Sequence, residues 1–214
     1  MAFVQKIEFE EGIIGVWEIT EDINLLVQKF QFLDSEKEEY DKFSSERRKK
    51  EFLAVRLLLQ ELLNKKPEII HDDSGRGTLK NSGFNLSISH SKELAVVFLS
   101  KRKIGIDVEN VERKIEKIAQ RFLHKSEMDF VKSSANPQKA MVLLWCAKEA
   151  IFKCSEKQGI DFGREILVSP FSVDGTGVFK GKKIQSNRNI FYQLQHFNYK
   201  NNVVVFCVED VEKS

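Results

Sequence analysis

Three strand-like runs, "FNLSISH", "LAVVFLS" and "IGIDVEN", follow one another between Phe84 and Asn110 with three residues between successive runs. The link Ser100-Lys101-Arg102-Lys103 is short enough to make the last two an antiparallel hairpin. On either side lie runs with helical spacing. Upstream, "SSERRKKEFLAVRLLLQELLN" places Phe52, Val55, Leu58, Leu59 and Leu62 on one face and stops before Pro67. Downstream come "KIEKIAQRFL" and "QKAMVLLWCAKEAIFKCSE", then a Gly-rich, strand-prone tail from about Val168 to Val211. Earlier, Val16 to Thr20 reads as a short strand, "EDINLLVQKFQFLD" as helix, and "HDDSGRGTLKNSG" as a loop. Strands and helices in blocks, without a regular βαβ rhythm, argue for an α+β fold.

With 214 residues, 42% of them hydrophobic and 31% charged, the chain can bury a sizeable core as one domain or two small ones. Lys and Arg total 34 against 32 Asp and Glu, so anion binding has to come from local clusters and not from a basic field. Cys146, Cys154 and Cys207 show no metal-type pairing, and an odd count suits a reducing compartment. No stretch approaches the roughly 18 apolar residues of a membrane span, and "MAFVQKIEFEEG" lacks a secretory pattern, so a cytoplasmic protein is expected.

In "IGIDVEN", side chains two apart share a face, so Asp107 and Glu109 point together while Ile104, Ile106 and Val108 point away. Taken alone, this reads as a half-buried strand with an acidic outer face. Gly105 adds a hint of close approach by a ligand or another backbone. In "WCAKEAIFK", Leu143, Leu144, Ala147, Ala150, Ile151 and Cys154 form one helical face, with Glu149 and Lys153 opposite. An exposed i,i+4 Glu–Lys pair contributes only about 0.2–0.5 kcal/mol. Trp145 and Phe152, however, lie near Glu149 and predict that it is partly enclosed. Three carboxylates form a hard oxygen set suited to Mg²⁺. Lys148, Lys153, His90 and the "RRKK" run leading to Arg56 add cations, and metal plus cations implies a phosphorylated ligand. A weak nucleic-acid patch at "RRKK" is the poorer reading, since only Phe52, on the apolar stripe, interrupts it.

"GIDVE", "WCAKEAIFK" as W-x-x-K-E-x-x-x-K, "SISHS" and "RRKKEFLAVRLLL", in this order, resemble the 4'-phosphopantetheinyl transferases of the surfactin-synthetase-activating (Sfp) type. The resemblance spans about Arg47 to Lys153. It implies a monomeric pseudo-dimer of two similar α/β halves with the active site between them. Residues 1–102 would form the half on the coenzyme A 3'-phosphate side, and 103–214 the half with the metal and catalytic motifs. Mg²⁺ would bind Asp107, Glu109 and Glu149. Lys153 would contact the diphosphate, with Lys148 facing the phosphates nearby. His90, Ser89, Arg56, Arg48 and Arg76 would hold the 3'-phosphate end, with Gly77 standing where many relatives carry proline. The implied reaction moves phosphopantetheine from coenzyme A to a serine of an apo acyl or peptidyl carrier protein and releases 3',5'-ADP. Glu149 is the candidate general base, directly or through water. The carrier would dock near "RFLHKSEMDF", on Arg121, Lys125, Phe122, Leu123 and Phe130, unless the phenylalanines are core. The alternative is another Mg²⁺-dependent enzyme acting on a diphosphate. Nucleic-acid and membrane partners are not expected.

Overall fold

The computed structural model describes residues 3–71, 77–155, 159–185 and 188–211. The chain divides into two compact units, Met1–Leu99 and Ser100–Ser214.

The first unit contains β1 (Phe3–Phe9), β2 (Gly12–Glu18), α1 (Ile23–Lys29), α2 (Asp34–Asp41), α3 (Glu46–Leu63), β3 (Ile69–His71), β4 (Gly77–Leu79), β5 (Asn85–His90) and β6 (Leu94–Ser100). One sheet has the order β1-β2-β6-β5, and β3 pairs with β4. α3 follows from its sequence. Ser45 caps it by accepting from the Arg48 amide, and Asn64 ends it in a left-handed conformation. Leu53, Leu58 and Leu59 are wholly buried, each such side chain contributing about 1.5–3 kcal/mol. Gly15 lets α3 sit directly on β2, since a Cβ there would lie 2.7 Å from Leu62.

Three expectations change here, the first being that the stretch read as a loop over residues 71–83 carries β4. β1 was not foreseen, and it forms a hairpin with β2. The helix expected over residues 21–34 ends at Lys29, because the chain becomes extended at Phe30, whose buried ring meets Phe32 edge-on at 5.0 Å, and α2 begins only at Asp34. Phe30 is buried and Phe32 partly so, both packed on the core of the first unit.

The second unit contains β7 (Ile104–Asn110), a 3₁₀ turn (Glu116–Ile118), α4 (Ala119–Phe122), α5 (Lys125–Ser133), α6 (Pro137–Cys154), α7 (Phe162–Glu165), β8 (Ile166–Val168), β9 (Gly177–Ile184), β10 (Asn189–Tyr199) and β11 (Asn202–Glu209). Its sheet runs β7-β11-β10-β9-β8, with α6 across it. The fold is α+β. β6 and β7 do not form the expected hairpin: β6 pairs with β2, and β7 pairs with β11, Asp107 opposite Val205. β7 is buried from Ile104 to Val108 and β11 from Asn202 to Val208, so each satisfies its backbone against the other apolar run. Asn136 caps α6 by accepting from the Lys139 amide at 3.0 Å, and Pro137 occupies its first turn. Gly105 answers its own hint. A Cβ there would stand 1.9 Å from the Ala150 carbonyl oxygen, so the close approach is by the backbone of α6.

Candidate active site

Asp107, on the strand face that meets α6, is buried and not part of a wet acidic surface. Two α6 side chains engage it. Lys153 Nζ donates to Asp107 Oδ1 at 2.8 Å and to the Ile106 carbonyl at 2.9 Å. Burial, followed by the charge of the Asp107 carboxylate, pushes the Cys146 thiol well above its usual range. All three cysteines are buried and free.

Glu149 is half-buried, as Trp145 and Phe152 predict. Its carboxyl is raised above the ordinary value, first by burial and then by the charge of Asp107, while Lys153 and Arg113 oppose the shift. Glu109 forms an ion pair with Arg113, whose guanidinium lies 5.2 Å from the centre of the Trp145 ring. Arg113 belongs to this cluster although its sequence position gave little warning. It is four residues from Glu109, but that spacing signals a pair on a helix, and here it spans the end of a strand. Beside the cluster opens a groove of about 530 Å³, walled by Phe122, Trp145, Ile160 and Phe162 and carrying Glu149, Asp161 and Arg121.

Among the described residues, no three His, Cys, Asp or Glu side chains stand in metal-ligating arrangement. The donor chemistry nevertheless suits Mg²⁺. The charge of Asp107 disfavours that of Glu149, which a cation between carboxylates relieves, and Asp107 and Glu109 already attract the two cations Lys153 and Arg113. These residues fit the ion in type, with Asp107 and Glu109 now turned to intramolecular counter-charges.

Lys148 lies elsewhere. It is fully buried, its Nζ 2.7 Å from Glu127 and donating to the carbonyls of Phe162 at 2.8 Å and Ile166 at 2.6 Å. Burial lowers its pKa, with Glu127 opposing. The expected phosphate contact is corrected: this ammonium has spent its three donors inside the core. Phe122 and Leu123 are likewise core, and Phe130 packs its ring on Phe171 at 5.1 Å. Of the expected docking residues, Arg121 and Lys125 are exposed.

In the first unit, Arg48 and His90 come together. Arg48 NH1 is 2.9 Å from His90 Nε2 and 2.8 Å from Glu51, and Arg47 also binds this buried carboxylate at 2.8 Å. Ser89 is buried next to His90 in the chain. Arg56 does not join them. Its guanidinium is 2.9 Å from Glu39 and 3.5 Å from Glu36, and it lies 3.3 Å from the centre of the Phe52 ring. Burial lowers its pKa despite both acids. Arg56 is therefore a core cation, which corrects its expected role at a phosphate. Arg76 lies outside the described residues.

The sheet-and-helix unit carrying this carboxylate cluster matches the family described as the 4'-phosphopantetheinyl transferase superfamily, over residues 103–207. That match covers just under half of the chain. Among curated proteins, the chain is 30% identical over 118 residues to 4'-phosphopantetheinyl transferase psf-1 of Bacillus pumilus, covering 53% of this chain and 50% of that protein. It is 34% identical over 92 residues to 4'-phosphopantetheinyl transferase gsp of Aneurinibacillus migulanus, covering 42% and 37%. The matched stretches thus span half or less of these relatives. The holo-[acyl-carrier-protein] synthase of Thermotoga maritima aligns with 20% identity and a TM-score of 0.36 over 50% of this chain and 62% of its own, a likeness too slight to build on. Among the described residues, no helix is long and apolar enough to cross a membrane.

Proposed function

We propose that the protein transfers the 4'-phosphopantetheine moiety of coenzyme A to a serine of an apo acyl or peptidyl carrier protein. The observation that carries this reading is the Asp107–Glu149–Lys153 cluster, in which a raised carboxyl, a second carboxylate and an ammonium meet inside the matched segment. The serine Oγ forms a bond to the β-phosphorus while the bond from that phosphorus to the bridging oxygen breaks, and 3',5'-ADP departs with the bridging oxygen. Mg²⁺ held by Asp107, Glu109 and Glu149 would neutralise charge on the diphosphate. Lys153 places its ammonium beside Asp107, where it stabilises charge on the transferring phosphoryl oxygens. Glu149, whose proton affinity is raised, accepts the serine proton directly or through a water. Arg48 and His90, already in contact, are the residues we assign to the 3'-phosphate. Three free cysteines favour a reducing compartment, which we take to be the cytoplasm.

The test is to incubate the protein with coenzyme A, Mg²⁺ and a panel of apo carrier proteins and to weigh the products. Addition of phosphopantetheine to a carrier, with matching release of 3',5'-ADP, is the expected result. No modification of any carrier overturns the proposal. Carrier-independent cleavage of the diphosphate would favour a Mg²⁺-dependent hydrolase instead.

A further inference from the structure

Arg113 is anchored at its backbone, while its side chain stays partly exposed. Its carbonyl accepts from Gln138 Nε2 at 2.8 Å, and the same amide group donates to the Val111 carbonyl at 3.0 Å, so the first turn of α6 clamps the segment after β7. The side chain is 41% exposed, pairs with Glu109, lies over Trp145 and lowers the proton affinity of Glu149. Lys153, by contrast, is less exposed and is tied to a backbone carbonyl as well as to Asp107.

We propose that Arg113 is a displaceable counter-ion, which holds Glu109 in the metal-free protein, yields it to a divalent cation, and passes its guanidinium to an anionic oxygen of the bound diphosphate. This rests on the reading of Asp107, Glu109 and Glu149 as metal ligands. A partly solvated ion pair is weak and separates at little cost, whereas a doubly charged ion binds the same carboxylate more strongly. The contact with Trp145 keeps the released guanidinium beside the cluster, and Arg matches phosphate oxygens with its fork of donors. The sign of the effect differs between the two ligands. Before the anion binds, Arg113 competes with the metal; afterwards it supports the anion the metal has drawn in.

Mn²⁺ serves as the probe, with free manganese read by electron paramagnetic resonance in wild type, Arg113→Gln and Arg113→Lys. Thermal melting verifies that each variant is folded. Removing one positive charge next to the ion should tighten Mn²⁺ binding about tenfold in Arg113→Gln and leave Arg113→Lys near wild type. At saturating Mn²⁺, calorimetric binding of inorganic pyrophosphate should weaken about tenfold in Arg113→Gln and less in Arg113→Lys. Unchanged or weaker Mn²⁺ binding in Arg113→Gln overturns the counter-ion role, and unchanged pyrophosphate affinity overturns the transfer of the guanidinium. If wild type binds no Mn²⁺, the metal reading falls and this inference with it. If the Mn²⁺ and pyrophosphate shifts appear but no carrier is modified, Arg113 keeps its role and the transferase reading falls.

Discussion

Lys148→Met should cost the protein stability first and activity only as a consequence. The ammonium donates to Glu127, Phe162 O and Ile166 O within 2.6–2.8 Å, so all three of its hydrogens are committed. Methionine fills nearly the same volume, which keeps cavity formation out of the comparison. What remains is a Glu127 carboxylate 2% exposed, still bonded to the amides of His124 and Val168 at 2.8 Å but lacking its counter-charge. Two carbonyls on either side of α7 lose a donor as well. Breaking one side of a buried pair costs about 3–5 kcal/mol, and at about 2–4 °C per kcal/mol for a chain of this size the melting temperature should fall by roughly 10 °C. Urea unfolding followed by tryptophan fluorescence measures this, since each unit carries one tryptophan, Trp17 in the first and Trp145 in the second. Adding Glu127→Gln to Lys148→Met should recover part of the loss, because the amide still accepts hydrogen bonds and carries no charge. A variant that unfolds within about 1 kcal/mol of wild type yet loses coenzyme A affinity would refute the reasoning, and would return Lys148 to the phosphates.

Glu149→Gln should stabilise the metal-free protein at neutral pH. The folded carboxyl is raised above 4.5, so its contribution is complete below that value and is lost as pH rises through the folded pKa; the advantage of glutamine should appear over that rise and vanish in acid, as melting across pH would show. Gly105→Ala drives a Cβ to 1.9 Å from the Ala150 carbonyl oxygen, which only movement of α6 can relieve, so a loss of about 3 kcal/mol or more or insoluble expression is expected, and a wild-type melting curve would contradict it. Arg56→Ala takes one cation from Glu36, which keeps Lys66 at 3.2 Å, and another from the partly exposed Glu39, and should cost about 1–3 kcal/mol in urea unfolding without changing the ratio of affinities for coenzyme A and its 3'-dephospho form. Arg48→Ala should change that ratio; a selective loss in Arg56→Ala would reverse the two assignments.

Much of this architecture is legible in the sequence because helices declare themselves locally. The apolar stripes of α3 and α6 locate both helices within about two residues, and Trp145 and Phe152 foretell the enclosure of Glu149. Strand partners are not local in this sense. Short apolar runs identify β6 and β7 as strands, but the choice between a hairpin and partners as distant as β2 and β11 depends on which apolar runs the whole fold must cover.

The two misplaced cations carry a sharper lesson, since their burial is written in the spacing. Lys148 falls four residues after Leu144 and three before Ile151, and Arg56 falls four after Phe52 and three before Leu59, so both sit on the buried stripe of their helix. A basic residue there has to find acids inside: Glu127 for Lys148, Glu36 and Glu39 for Arg56. Glu149 and Lys153, four residues apart, come to the side of α6 that faces Asp107. The adjacent pair Lys148-Glu149 is thereby divided about 100° around the helix, one charge locking α6 to α5 and α7, and the next delivered to the cluster on β7.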